Sequence, residues 1–381
     1  MLKKGSGEDI RLFPSAITGD PALRHGIILA KSDSAKKLGI KTAMTVQEAL
    51  RLCPELKTYS PDHSMYKVHS DRLYELLSEY TDVIERFSID ECWLEYTGSE
   101  KAFGSPEKAA AEISERAKNE LGFTVNIGVS VNKLLSKMAS EMEKPDRIHT
   151  LYPNEIEEKM WPRKAGELFG VGRSSVNTLA RYGLNTIGDI AKADPSILKN
   201  ALKPAMGLMV YERANGIDDS PVLRAEEYER KVIGHSDTTP ADLETEEEAF
   251  HCILSLSERV GIRLRKAGKR AGVVSLQLKN STFKTYRHQK KMPEPISSTS
   301  DIYTVACALF REMWRGDALR LLGVSLSDLR DADEEDKQMS LFGILNAESN
   351  EKQKQKDVLD ETQDLIRKRF GKDAITRGTL L

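Results

Sequence analysis

The sequence predicts an α+β protein built from several domains, and three observations carry that reading. At 381 residues the chain can bury more than one core. Alternating runs that suit strands, such as Val274 to Lys279, lie between helical apolar stripes. One stripe is Phe250, Ile253, Leu254 and Val260, and the other is Ile302, Ala306, Leu309, Phe310 and Met313. Past Arg330 the composition changes abruptly: residues 331–337 are acidic and poor in apolar side chains, as a linker is.

Composition excludes several classes. Charged residues make up 30% of the chain, yet the net charge is only -2, so any nucleic-acid surface must come from local patterning. Cys53, Cys92, Cys252 and Cys307 are far apart with no CxxC, which argues against zinc and against a disulfide scaffold. No apolar run approaches membrane length, and Met1 to Asp9 has no hydrophobic signal core. A cytoplasmic protein without a membrane partner is expected.

Taken in chain order, the first chemically informative segment is Phe87-Ser88-Ile89-Asp90-Glu91-Cys92-Trp93. Two adjacent carboxylates stand there in a run that otherwise reads as a buried strand. Desolvating both is costly unless a positive partner neutralises them. A hard divalent cation such as Mg²⁺ is the simplest partner, because it takes oxygen ligands and keeps waters for a phosphate substrate. Successive strand residues face opposite sides. Asp90 and Glu91 therefore serve one site only if the chain bends or bulges. A surface acid pair at a hairpin end explains the same residues.

Thr124 to Ser130 alternates like a strand and runs through Asn132-Lys133 into a helix, Leu134 to Ser140, that stops near Lys144-Pro145-Asp146. Lys133, Lys137 and Lys144 suit an anionic ligand, and a solvated helix face accounts for them almost as well. Leu168-Phe169-Gly170-Val171-Gly172, followed by Tyr182-Gly183-Leu184 and Thr186 to Ile190, reads as a helix-hairpin-helix. Its glycines leave backbone N–H groups open at a helix start, where a DNA phosphate can sit, with Gly170, Val171 and Gly172 as the expected contacts.

The next segment, Arg259 to Lys291, holds eleven Lys or Arg and no Asp or Glu. It comprises a helix end (Arg259, Arg263, Arg265, Lys266), a turn at Lys269-Arg270-Ala271-Gly272, and a strand ending in Lys279. Asn280-Ser281 turns it into Phe283-Lys284-Thr285-Tyr286-Arg287. A basic ribbon with its apolar residues on one face suits a phosphate backbone, with Lys279, Lys284 and Arg287 as contacts. Upstream, Thr245 and Glu248 form a capping box for the first apolar helix. Two helices on one face of strand pairs fit an α+β sandwich. At the C-terminus, Val358 to Phe370 has helical spacing and stops at Gly371, with no readable partner.

Ser88-Ile89-Asp90-Glu91, then Gly128-Val129-Ser130-Val131-Asn132-Lys133, then Ala139-Ser140 and Lys144-Pro145-Asp146 together resemble the palm of the Y-family (translesion) DNA polymerases. The resemblance implies a right-hand architecture. Residues 1–22 would be a truncated part of the palm, 23–64 the fingers and 65–162 the palm. The helix-hairpin-helix at 163–228 would be the thumb and 229–330 the little finger, leaving 331–381 for a linker, a clamp peptide and a terminal helix. It also implies two Mg²⁺ ions, with Asp90 shared between them, Glu91 completing the primer side, and Lys144 meeting the triphosphate. Lys137 is assigned a structural role.

The chain departs from the family pattern near its start. A third carboxylate normally stands in an Asp-Met-Asp-x-Phe-Tyr type motif on the first palm strand, beside an aromatic that excludes ribonucleotides. Met1 to Ile10 holds no such motif, and the resemblance resumes around Ser15-Ala16-Ile17-Thr18. The expectation is that about two dozen residues of a typical member are missing or replaced, with Asp9 the acid placed to substitute. Lys36 lies where many members carry a triphosphate-gripping Tyr and Arg, and it supplies charge without the arginine fork.

Gln338-Met339-Ser340-Leu341-Phe342 resembles the bacterial sliding-clamp-binding peptide, with Gln338, Leu341 and Phe342 as anchors. The implied function is template-directed DNA synthesis past damaged bases by a monomer. Its partners would be primer-template DNA, deoxynucleoside triphosphates and the clamp. The alternative is a truncated relative that holds DNA and clamp without polymerising. A helix-hairpin-helix nuclease or glycosylase using Asp90 and Glu91 would leave Gly128 to Lys144 unexplained.

Overall fold

The computed structural model describes residues 9–20, 26–227, 231–332, 347–371 and 374–375, without the side chains of 347–354. Two compact units emerge: Met1–Pro61 with Glu229–Leu381, and Asp62–Tyr228. No helix among the described residues is long and apolar enough to cross a membrane. The four cysteines are free thiols.

The first unit begins with a small sheet. Strand β1 (Ser15–Thr18) lies between β2 (Ile28–Lys31), antiparallel to it, and the parallel β3 (Lys57–Tyr59), with helices α1 (Asp33–Lys37) and α2 (Val46–Leu52) between the outer strands in sequence. Thr45 caps α2: its hydroxyl accepts from the Glu48 N–H while Glu48 accepts from the Thr45 N–H, satisfying two donors at the helix start. Ala16, Ile28, Ala35, Ile40, Val46, Ala49, Cys53 and Leu56 form its core. That role for Cys53 is packing.

In the second unit, α3 (His63–Ser78) leads to the hairpin β4 (Ile84–Arg86) and β5 (Cys92–Leu94). Helices α4 (Glu100–Phe103) and α5 (Pro106–Arg116) follow, then β6 (Ile127–Val129), α6 (Lys133–Ser140) and β7 (Ile148–Thr150), with β6 and β7 parallel. The regular strand is thus shorter than the Thr124 to Ser130 alternation suggests. A Cβ on Gly128 would come within 1.9 Å of the Ser136 carbonyl, so glycine is what lets β6 pack directly on α6. Helices α7 (Arg173–Arg181), α8 (Ile187–Lys192), α9 (Pro195–Leu202) and α10 (Pro204–Ala214) complete the unit. Their apolar faces share a core with α6 through Leu134, Leu135, Met138, Leu179, Ile190 and Val210.

The rest of the first unit is a four-stranded antiparallel sheet in the order β10-β9-β11-β8. Its strands are β8 (Val232–Leu243), β9 (Lys269–Asn280), β10 (Thr285–Ile296) and β11 (Leu319–Asp331). Helices α11 (Glu246–Lys266) and α12 (Thr299–Met313) cover one face, burying Ile253, Val260, Leu264, Ile302, Leu309 and Phe310 against Val274, Leu276, Leu278 and Val324. The Thr245–Glu248 capping box is formed. The expected turn at Lys269 to Gly272 is not a turn. It lies one step earlier, at Ala267-Gly268. Lys269 already pairs with Asp331 in the β9–β11 ladder, an alignment reinforced by a 2.8 Å ion pair between them. Helix α13 (Ala347–Phe370) is the last described element.

Candidate active site and nucleic-acid interface

Asp90 and Glu91 do not lie in a buried strand. Pairing in the β4–β5 hairpin stops at Arg86 opposite Cys92, and residues 87–91 bend between them. The Glu91 carbonyl accepts from both the Phe87 and Ser88 N–H groups, at 3.0 and 3.1 Å. The Ser88 hydroxyl donates to Asp90 Oδ1 at 2.6 Å and accepts from the Asp90 N–H at 3.3 Å. Such local bonds compete with ladder pairing and favour a turn. The bend leaves Phe87 to Asp90 exposed and Glu91 half-buried. Asp90 and Glu91 line one recess with Ser70, Tyr74, Arg86 and Cys92.

Helix α6 meets this hairpin through two lysines one turn apart. Lys133 Nζ pairs with Glu85 on β4 at 2.7 Å, and their side chains are only 12% and 13% exposed. The Lys133 carbonyl accepts from Trp93 Nε1 at 3.0 Å. Lys137 Nζ pairs with Glu91 at 2.7 Å and with Glu141 at 2.9 Å, and Glu141 pairs in turn with Lys144 at 2.7 Å. Burial opposes the charge on Lys137, but its two carboxylate partners prevail and hold its pKa above the ordinary lysine value. Burial likewise pushes Glu141 up, and Lys144 and Lys137 outweigh it to hold the carboxyl below its usual range.

Lys137, assigned a structural role from sequence, therefore touches a predicted catalytic acid. The signal was present in the sequence: lysines four apart on a helix face two acids six apart around a hairpin. The N-terminus of α6 is already engaged, because the Leu134 N–H donates to Asp218 and the Leu135 N–H to Asn132. Of the three lysines predicted to meet an anion, Lys144 is the most exposed, at 49% of its side chain. Lys36 is an exposed residue of α1 in the first unit. Asp9, the expected substitute acid, belongs to that unit as well, and the Arg11 guanidinium forks onto it at 2.7 and 3.0 Å.

Of the expected helix-hairpin-helix, the Gly170-Val171-Gly172 turn leads into α7, but only a short 3₁₀ turn (Ala165–Glu167) precedes it. Gly170 has φ +91° and leaves no room for a Cβ, which would meet the Arg213 guanidinium at 2.1 Å. Arg213 Nη1 donates to the Phe169 carbonyl at 2.9 Å and fixes the hairpin from behind. Val171, expected at the DNA contact, is a core residue only 7% exposed, and its N–H donates to the Leu168 carbonyl. Gly172 is exposed and begins α7 without a capping side chain, so the N–H groups of the first turn remain open.

The basic run divides into two functional halves. Arg259 pairs with Asp237, Lys269 with Asp331 and Arg270 with Asp357, while Arg265 pairs with both Asp360 and Asp364. These cations hold the domain together. Lys279, Lys284, Arg287, Lys290 and Lys291 are on or beside β9 and β10, and among the described residues none is in a salt bridge. Arg287 Nε reaches across the ladder to Gln277 at 2.8 Å. Lys284 Nζ stands 5.1 Å from the Tyr286 ring centre.

On the sheet face away from the helices, register aligns Arg287 with Gln277, Gly323 and Ser236, and the next row aligns Gln289, Ser275, Ser325 and Gly234. That face is small and polar, bordered by cations along β10. Gln338, Leu341 and Phe342 lie outside the described residues.

Comparison with known proteins gives consistent matches. Residues 6–141 match the impB/mucB/samB family, and residues 230–341 match the C-terminal domain of that family. A protein named DNA polymerase IV from Clostridium acetobutylicum is 44% identical over 380 residues, covering 100% of this chain and 93% of the relative. Another of that name, from Alkaliphilus oremlandii, is 38% identical over 97% of this chain and 93% of its own length. A solved chimeric Y-family DNA polymerase superposes with a TM-score of 0.72 at 21% identity, covering 84% of this chain and 92% of the other.

Proposed function

Since the chain belongs to the impB/mucB/samB family of Y-family DNA polymerases, we propose that it is a DNA-directed DNA polymerase that copies templates past damaged bases. The observation that carries the reading is the continuous charge path from Glu91 through Lys137 and Glu141 to Lys144. It links the acids Asp90 and Glu91, suited to a primer end, with Lys144, a lysine suited to a triphosphate. The open first turn of α7 and the cationic edge of the β10-β9-β11-β8 sheet would hold the phosphates of primer-template DNA.

Divalent metal dependence belongs to this family, and Asp90 and Glu91 are the residues that would hold Mg²⁺. The described residues do not complete a two-ion centre: among them, no group of three His, Cys, Asp or Glu side chains is placed to hold a metal. Lys137 already neutralises Glu91. No catalytic step is therefore assigned to the ions. The Lys137–Glu91 ion pair favours a second reading, a relative that binds primer-template and sliding clamp without extending the primer.

Primer extension by this chain with Mg²⁺, with Asp90→Ala as control, separates the two. Extension that depends on Asp90 supports the polymerase. Retained primer-template binding with no extension supports the second reading. Clamp binding through Gln338, Leu341 and Phe342 is tested separately, by loss of clamp pull-down when residues 338–342 are deleted.

A further inference from the structure

We propose that Glu141 is a built-in competitor for phosphate, holding the Lys144 ammonium in the nucleotide-free chain and yielding it to an incoming triphosphate. The proposal rests on the reading of Lys144 as a nucleotide-binding residue, and it assigns a role to an acid that the family resemblance leaves unused.

Glu141 is not a loose surface carboxylate. It follows directly on α6, and its two oxygens are engaged separately, Oε1 by Lys137 at 2.9 Å and Oε2 by Lys144 at 2.7 Å. Lys137 is itself held by Glu91 at 2.7 Å and is only 15% exposed, so it cannot swing away. Glu141 is thereby fixed from one side and presents its second oxygen to Lys144. Two other acids stand near Lys144 in sequence: Glu143 is exposed and makes no salt bridge to Lys144 among the described residues, and Asp146 is drawn off by Lys118 at 2.7 Å.

The charges alternate along this path: Glu91, Lys137, Glu141, Lys144. A triphosphate oxygen that replaces Glu141 on Lys144 leaves Glu141 still paired with Lys137. The exchange strands no partly buried charge, which is what makes a carboxylate here easily displaced. A lysine held this way is preorganised for an anion but pays for its release in affinity.

The test measures binding of inorganic tripolyphosphate and of a deoxynucleoside triphosphate to the full chain in EDTA, so that only the protein's own cations act. Lys144→Ala should weaken binding. Glu141→Gln should tighten it by about three- to fivefold, the range expected from removing one part-exposed ion pair. That gain should vanish in the Glu141→Gln, Lys144→Ala double variant. A folding defect lowers affinity, so a gain is not mimicked by damage, and thermal melts verify that both variants fold. If Glu141→Gln leaves affinity unchanged or weaker while Lys144→Ala weakens it, the competitor role is overturned and the nucleotide reading stands. If Lys144→Ala has no effect, the nucleotide reading fails as well.

Discussion

Arg265 and Asp360 form an ion pair at 3.3 Å with side chains only 11% and 4% exposed, and it fastens the C-terminal helix α13 to α11. Asp360 also accepts from the Thr299 N–H at 2.6 Å, at the first turn of α12. Asp364 takes the other side of the same guanidinium at 2.8 Å. One carboxylate therefore serves a buried cation and a helix start together. Asp360→Ala leaves both short of a partner. We expect a loss of about 2–3 kcal/mol, below the full cost of breaking a buried pair because Asp364 remains. Urea denaturation measures it. Lys356→Ala removes an ion pair to Asp301 from a lysine that is 44% exposed, and it should cost under about 1 kcal/mol. Equal losses for the two variants would deny Asp360 its special place.

This helix marks where sequence reading ended. The spacing of Val358, Leu359, Leu365, Ile366 and Phe370 predicts a helix, and one forms. An apolar stripe ordinarily predicts the buried side. Here Asp357, Asp360, Asp364 and Arg367 face the domain, while Val358, Leu359, Leu365 and Phe370 are more than half exposed. The partners, Arg265 and Arg270, are 87 to 99 residues away in sequence, where no local pattern can reveal them.

The sandwich was legible because its burial repeats with strand and helix period, and the Thr245–Glu248 cap because it is local. The same local logic explains the errors. Alternation continues through residues 87–91, but Ser88 and Asp90 bond to each other and bend the chain. In the turn before α7, Val171 between two glycines read as a contact, and tertiary packing turned it inward.

Gly128→Ala should be among the most damaging single-methyl additions in the chain. Its Cβ would meet the Ser136 carbonyl at 1.9 Å and the Ser140 nitrogen at 2.6 Å, both backbone atoms of α6 that cannot rotate aside. The expected cost is at least about 3 kcal/mol, the upper end for overpacking. Fluorescence of Trp93 should report it, since its indole donates to the Lys133 carbonyl of α6. A wild-type denaturation midpoint would mean that strand and helix separate at little cost.

Cys92 follows Glu91 directly, and burial pushes its thiol up to about 11. A raised pKa means the folded state favours the protonated thiol. That stability is complete below the unfolded thiol value, near 8.5, and is lost as pH rises through the folded one. At pH 8 the folded thiolate fraction is on the order of a thousandth. Alkylation of Cys92 should be slow in the native chain at pH 8, faster by about tenfold per pH unit above it, and fast in urea. Rapid native labelling at pH 8 would show that the hairpin opens and exposes the thiol.

The two halves of the basic run predict opposite responses to charge reversal. Lys284 and Arg287 are exposed and outside any described salt bridge, whereas Arg259 is held by Asp237 at 2.9 Å. Each lysine or arginine that neutralises a phosphate contributes about 0.9 to the slope of log affinity against log salt. Lys284→Glu with Arg287→Glu should therefore weaken primer-template binding and flatten that slope by about 2. Arg259→Glu should leave the slope unchanged and lower stability instead, because it faces Asp237 with a like charge. The measurement is fluorescence anisotropy of labelled primer-template over a series of salt concentrations. If the double reversal leaves the slope as it was, the sheet edge is a solvated basic surface. DNA would then have to be held elsewhere, first of all at the open turn of α7.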